Sequence, residues 1–304
     1  MVKIKRVSDI DFGYANIIVF GESGTGKTHF AGTYNHEKVL IINVKTESGL
    51  MTLRAQGIDM DVLEVDSYLD MKEAIEWIKK NGAKYDVLFV DSLSQWQKKL
   101  NIDLPDNGDT RKKWGIIKEY TYEIVHAITA LPFHVIFTCE LKKEKDGETG
   151  SFSYLPSLYG SSREDIPYWF DELYYFTRFQ VKIGDPIEYK MLTAAAIKYP
   201  CKSRLGADIN IDNPQLSSIL KMPIFKQIDK ATQTKELFEV AEKEEIASET
   251  NVDRMRGLLA TKDVDVVKFL AHYNANNIPS FPDDKVADAI EKLNKCKNKK
   301  VEIK

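Results

Sequence analysis

Apolar residues follow two rhythms along this chain, and the change falls near residue 230. Before it, short continuous apolar runs alternate with amphipathic stretches. Ile17-Ile18-Val19-Phe20, Val39-Leu40-Ile41-Ile42, Val87-Leu88-Phe89-Val90 and Phe133-His134-Val135-Ile136-Phe137-Thr138 have strand length and strand composition. Leu173-Tyr174-Tyr175-Phe176 and Tyr189 to Thr193 follow as later strands. Between them, Lys27 to Tyr34 is helix-compatible. Met71 to Lys80 puts Ala74, Trp77 and Ile78 on one helical face, and residues 112–130 space Ile116, Ile117, Tyr120, Ile124 and Ile128 as a helix does. Strands alternating with helices predict an α/β domain over 1–230, a mostly parallel sheet covered on both faces. Ligands in such sheets sit at the carboxyl ends of the strands. Over 231–304 only helical spacing remains: Leu237 and Val240; Met255, Leu258 and Leu259; Val267, Phe269 and Leu270; Val286, Ile290 and Leu293. That predicts a small helical C-terminal domain, which ends in the basic tail Lys295-Cys296-Lys297-Asn298-Lys299-Lys300.

Composition narrows the function classes. The 304 residues carry 43 basic and 46 acidic side chains, a net charge of −3, so any nucleic-acid contact must come from local patches. No apolar run approaches membrane-spanning length, and the start Met1-Val2-Lys3-Ile4-Lys5-Arg6 has no apolar core region. The 3 cysteines, Cys139, Cys201 and Cys296, are far apart and read as free thiols. The expectation is a cytoplasmic protein with no membrane partner.

Candidate chemistry begins where the first strand ends. Gly21-Glu22-Ser23-Gly24-Thr25-Gly26-Lys27-Thr28 fits the phosphate-binding P-loop, between a strand and a helix as that motif requires. Backbone N–H groups of the glycine-rich turn would cradle phosphate oxygens, Lys27 would neutralise their charge, and Thr28 would offer its hydroxyl to Mg²⁺. The third strand delivers Asp91 to its tip, the position of a second Mg²⁺-holding group; a helix N-cap is the plainer alternative. Glu47, just past the second strand, is a candidate to activate the attacking water, or an ordinary turn residue. Thr138, Cys139 and Glu140 end the fourth strand, where a polar group can sense a terminal phosphate.

Three charged segments remain. Trp96 to Trp114 reads as a polar insertion in which Lys98, Lys99, Arg111, Lys112 and Lys113 mix with two tryptophans, a composition suited to single strands. Asp103, Asp106 and Asp109 dilute it, and a solvated loop is the alternative. Lys142 to Gly150, with Lys142 and Lys143, reads as a mobile charged loop or a hairpin turn. Lys202 and Arg204 could reach a phosphate of this subunit or of a neighbour, or form an exposed basic turn.

Together these segments resemble the RecA-like ATPases. Lys45-Thr46-Glu47-Ser48-Gly49 is similar to the family's D-T-E-G segment, with Lys45 in place of the aspartate, and Val90-Asp91-Ser92-Leu93-Ser94 resembles its V-D-S segment. Val135 to Thr138, Pro156 to Gly160, Ile166 to Glu172 and Lys202-Ser203-Arg204 carry a closer likeness to phage single-strand annealing ATPases of the Sak type (the fourth Sak group). The resemblance covers roughly residues 12–210. It implies a RecA-like core with ATP and Mg²⁺ as cofactors, head-to-tail assembly, and two loops at about 97–113 and 141–165 facing single-stranded DNA. It also implies DNA-stimulated ATP hydrolysis in annealing or strand exchange within a bacterial host's cytoplasm, and a C-terminal domain that meets a single-strand-binding protein. A ring helicase or packaging motor is compatible with the same core, as is a nucleotide-gated protein-interaction module.

Overall fold

Strands buried on both faces need a helical layer on each side, and the fold supplies both. The structure is a computed structural model. It describes residues 6, 13–45, 48–105, 110–145, 147, 150–180, 182, 185–195, 198–204, 210–221, 233, 236–237, 259, 265–273 and 285–296. The strands are β1 (Asn16–Gly21), β2 (Val39–Val44), β3 (Asp61–Val65), β4 (Val87–Asp91), β5 (His134–Lys145), β6 (Phe152–Pro156), β7 (Glu172–Phe179), β8 (Glu188–Leu192), β9 (Lys202–Ser203) and β10 (Asn210–Asp212). They form a 10-stranded sheet in the order β10-β8-β7-β1-β5-β4-β2-β3, with β6 paired to β5 and β9 to β7. From β3 to β7 the pairs are parallel; β6, β8, β9 and β10 join antiparallel. The predicted α/β class with a mostly parallel sheet is what the chain adopts.

Alternation along each strand divides the core. Ile18, Phe20, Leu40, Ile42, Leu88, Val90, Val135 and Phe137 face one way. There they meet α3 (Tyr68–Asn81), α4 (Leu93–Asp103) and α5 (Thr110–Thr129) through Met71, Ile75, Ile78, Trp96, Leu100, Ile117, Ile124 and Ile128. Ile17, Val19, Ile41, Phe89 and Ile136 face the other way. They meet α1 (Lys27–Ala31), α2 (Leu50–Ala55) and α7 (Leu216–Leu220) through Phe30, Leu53 and Ile219; a short α6 (Ser162–Asp165) lies between β6 and β7. Side-chain oxygens of Ser67 and Ser92 accept backbone N–H groups at the starts of α3 and α4.

Several expectations are corrected. Trp96 to Asp103 is not a polar insertion: it belongs to α4, with Trp96 1% exposed in the core. In α3 the buried face is Met71, Ala74, Ile75 and Ile78, while Trp77 stays 38% exposed. In α5, Ile116 points outward and Thr121 and Val125 complete the buried stripe. β5 runs on through Lys145 and pairs with β6, so Lys142 and Lys143 sit on a strand of a hairpin rather than in a loop. β3 and α2 were not anticipated.

By contact the chain divides into residues 1–237 and 238–304, a little beyond the predicted boundary. The shift has a cause: Gln233 donates to the carbonyls of Tyr85 and Pro132 at 3.0 and 2.9 Å, and Leu237 is buried in the first unit's core. The second unit contains α8 (Val266–His272) and α9 (Val286–Lys295), joined through Leu259, Tyr273, Val286, Ala289 and Leu293. Val240, Met255, Leu258 and the tail beyond Cys296 lie outside the described residues. Among the described residues no helix is long and apolar enough to cross a membrane.

One buried group makes the fold pH-sensitive. His134 opens β5, and its Nδ1 accepts the Ala15 N–H at 3.0 Å. Burial holds its pKa down at about 4, against a smaller upward pull from Asp86. The unfolded chain binds this proton near pH 6.5, so His134 adds stability above that pH and loses it as pH falls toward 4, by up to about 3 kcal/mol. Urea unfolding between pH 7 and 4.5 should therefore show a slope that flattens in His134→Asn; an identical slope would contradict this account.

Candidate nucleotide site

The P-loop backbone is shaped by its glycines. Gly24 and Gly26 take φ of 73° and 90°, the left-handed region that glycine enters without a Cβ penalty. Gly21 is required by close approach, since a Cβ there would lie 2.4 Å from the carbonyl oxygen of Phe176. Thr25 is buried and donates to the Glu22 carbonyl at 2.9 Å, closing the turn. Lys27 Nζ donates to the carbonyls of Gly21 and Glu22 at 2.9 and 2.8 Å. Its charge is thereby held over the loop that Gly21 to Thr28 enclose.

The carboxyl ends of β1, β2, β4 and β5 bring the other groups alongside. Register sets Gly21 opposite Glu140 and Asn43 opposite Asp91. Asp91 is 3% exposed. Its Oδ2 accepts Thr28 Oγ1 at 2.7 Å, and its Oδ1 accepts Thr138 Oγ1 at 2.5 Å. The following Asp91–Ser92 peptide is cis. Gly49 backs the same pair: a Cβ there would lie 2.5 Å from Thr28 Oγ1 and 2.9 Å from Asp91 Oδ2. Asn43 Oδ1, next to them, is buried without a hydrogen-bond partner. Glu140 accepts from Gln95 Nε2 and Lys98 Nζ, each at 2.5 Å, while its N–H donates to Ser94 Oγ at 2.9 Å. At Glu140, β5 is thus tied to the first turns of α4.

These groups surround a cavity of about 830 Å³. Its lining includes Gly21, Glu22, Ser23, Gly24, Gly26, Lys27, Thr28, Asp91 and Glu140. Gly49, Lys143, Arg178 and Tyr189 also line it. Arg178 and Tyr189 do not emerge from sequence, because strand register and a chain reversal bring them in rather than a local motif; Gly49 closes the Lys45–Gly49 segment, but its packing on Thr28 and Asp91 is visible only in the structure. Glu47 lies outside the described residues.

The other sequence candidates are dispersed. Lys98 pairs with Glu140, and Lys99 with Asp66 and Asp103 at 3.3 and 2.7 Å. Arg111, Lys112 and Lys113 ride the first turn of α5, and Trp114 packs on Tyr159 rather than standing free. Asp106 and Asp109 lie outside the described residues, as do Asp146, Glu148 and Thr149. On the hairpin, Lys142 pairs with Glu144 at 2.7 Å, and Lys143 reaches Glu22 of the P-loop at 3.3 Å. Lys202 and Arg204 do not join the cavity. β9 pairs with Glu172 and Leu173, at the amino end of β7 and beside the start of β1, whereas the P-loop follows the carboxyl end of β1. Lys202 Nζ is committed to the carbonyls of Pro167 and Phe170, and burial, then Arg204, lowers its pKa. Arg204 lies 3.4 Å from Asp171.

A glycine cradle, a lysine and a buried carboxylate–hydroxyl pair at adjacent strand tips make a nucleotide site. A family model described as an AAA domain matches residues 14–205. The chain belongs to the AAA-domain family. As an AAA-domain protein it is a P-loop ATPase, and the match spans every strand from β1 through β9. No curated protein matches the chain. The AAA domain implies a nucleotide, typically with Mg²⁺, and the residues present fit both. The donors are oxygens, as a hard cation needs, and the cavity falls within the range of small-ligand sites. Among the described residues no group of three or more His, Cys, Asp or Glu could hold a metal alone. An ion here would be carried largely by phosphates and water beside Thr28 and Asp91.

Gly49 offers a test that leaves every polar group in place. Gly49→Ala should displace the Thr28 hydroxyl and weaken MgATP binding about tenfold or more, the effect of losing one hydrogen bond to a charged group. Calorimetric titration reads it, and wild-type affinity would show that Thr28 and Asp91 are not required in this arrangement.

Proposed function

We propose that this AAA-domain protein uses ATP to control its hold on single-stranded DNA, acting in annealing or strand exchange as the Sak-type phage proteins it resembles do. One observation carries the reading. β5 sets Thr138 against Asp91 and Glu140 in the wall of the nucleotide cavity, and it continues without interruption into Lys142 and Lys143 on the hairpin. Lys143 contacts the P-loop itself through Glu22. A change in what occupies the cavity is therefore felt along the same strand that presents basic side chains. In the hydrolytic step Lys27 steadies the terminal phosphate charge, Thr28 and Asp91 hold Mg²⁺, and Glu47 activates the water, with Glu140 as the alternative base. Assembly is head to tail. Arg204 lies at the far end of β7 from its own P-loop, and its guanidinium has Asp171 as its partner among the described residues; it serves a neighbour's site better than Lys202, whose Nζ is committed to backbone carbonyls. The helical C-terminal domain with its basic tail contacts a single-strand-binding protein. A cytoplasmic setting in a phage-infected bacterium belongs to the same reading.

A second reading has its own support. Lys98 and Lys99 are engaged with carboxylates, Trp96 is buried, and the net charge is −3, which favours a nucleotide-gated module that binds protein rather than DNA. Salt titration of single-strand affinity in the presence of ATP separates the two. The DNA reading expects affinity to fall linearly on logarithmic axes, and Lys142→Ala with Lys143→Ala to reduce the slope by about 1.4, at about 0.7 per lost phosphate contact. Absence of binding at low salt with ATP present would reject it in favour of the protein-binding module.

A further inference from the structure

We propose that Arg178 binds the phosphate chain of the nucleotide held by its own subunit's P-loop. The inference rests on the nucleotide reading of the Gly21–Thr28 cavity and adds a residue that lies outside every P-loop motif. Register gives the first argument. Gly21, the last residue of β1, is opposite Phe176 of β7, and β7 continues for two more residues to Arg178. With a side-chain period of two, Arg178 projects on the same face as Phe176, which is the face that packs against Phe30 of α1. The arginine is therefore carried past the strand tip and over the loop that β1 leads into.

Close contact gives the second. Arg178 Nη1 lies so near Gly24 that a Cβ on that glycine would be 3.0 Å from it. Tyr189, directly opposite Arg178 in the β7–β8 pair, lies against Gly26 in the same way, at 3.3 Å from an added Cβ. Residues directly opposite in an antiparallel pair share one face. The guanidinium and the phenol ring thus form a wall built against the two left-handed glycines of the loop.

Charge gives the third. Lys27 and Lys143 also line the cavity, but Lys27 is held by loop carbonyls and Lys143 by Glu22. Among the described residues Arg178 has no ion pair or hydrogen bond. An arginine that lines a phosphate cradle without a carboxylate leaves its fork of N–H donors for an anion, and phosphate oxygens match that fork in pairs.

The test measures equilibrium binding of MgATP, ADP and inorganic tripolyphosphate, the last carrying phosphates with no base. Arg178→Ala should weaken all three about tenfold or more, and Arg178→Lys should recover part of the loss, with the melting temperature of the nucleotide-free protein unchanged. Lys27→Ala runs alongside. If Lys27→Ala loses ATP while Arg178→Ala binds all three as wild type does, the Arg178 assignment is wrong and the P-loop reading stands. If Arg178→Ala weakens ATP but not tripolyphosphate, the arginine reads base or sugar and the phosphate assignment is overturned. If Lys27→Ala itself binds as wild type, the underlying nucleotide reading falls first.

Discussion

The arrangement turns on one buried carboxylate. Asp91 stands at the end of a fully buried strand, where an ionised group without hydrogen bonds would be costly. Thr28 satisfies one oxygen and Thr138 the other. Those two hydroxyls come from α1, which follows the P-loop, and from β5, which leads to the hairpin. A single electrostatic requirement therefore fixes the P-loop helix, the Asp91 strand and the central strand against one another. The same oxygens are the ones an incoming hard cation would use, so the contact that organises the loop is also the one that nucleotide binding would reorganise.

Sheet order explains why three elements can share that point. β5 lies between β1 and β4, so Thr138 of β5 reaches Asp91 on one side while the P-loop follows β1 on the other. Gly49 closes the remaining side with bare backbone. Beyond the tip, Glu140 is braced by Gln95 and Lys98 of α4, and Ser94 links that brace to the segment after β6 by donating to the Ser157 carbonyl at 2.8 Å. The exposed ion pairs in this network contribute little stability each. They couple the cavity rim to α4 on one side and to the hairpin of Lys142 and Lys143 on the other.

Much of this was legible from local pattern. The buried parallel strands read as continuous apolar runs, and the P-loop and Asp91 followed from their positions after two of those runs. What escaped had a physical reason in each case. β3 is a short edge strand with Asp61 and Glu64 in it, so its apolar content falls below that of an interior strand. α4 carries Gln95, Gln97, Lys98 and Lys99, whose polarity hid the stripe of Leu93, Trp96 and Leu100 at helical spacing; the tryptophan was read as available to bases when it is core. Lys202 and Arg204 lie near the last strands in sequence, but which end of the sheet they reach depends on the direction of β9, a long-range property. Arg178 is of the same kind: nothing adjacent to it in sequence marks it, and only the registers of β7 with β1 and β8 bring it over Gly24.

The most direct measurement of the account is the Mg²⁺ dependence of ATP affinity in Asp91→Asn, a change that keeps the shape of the side chain and removes its charge. Wild-type protein should bind ATP more tightly with Mg²⁺ than with chelator. Asp91→Asn, folded as judged by circular dichroism, should bind ATP with the same reduced affinity in both conditions. A variant that keeps the full Mg²⁺ enhancement would show that Asp91 does not hold the ion, and the carboxylate at the centre of this site would then be structural alone.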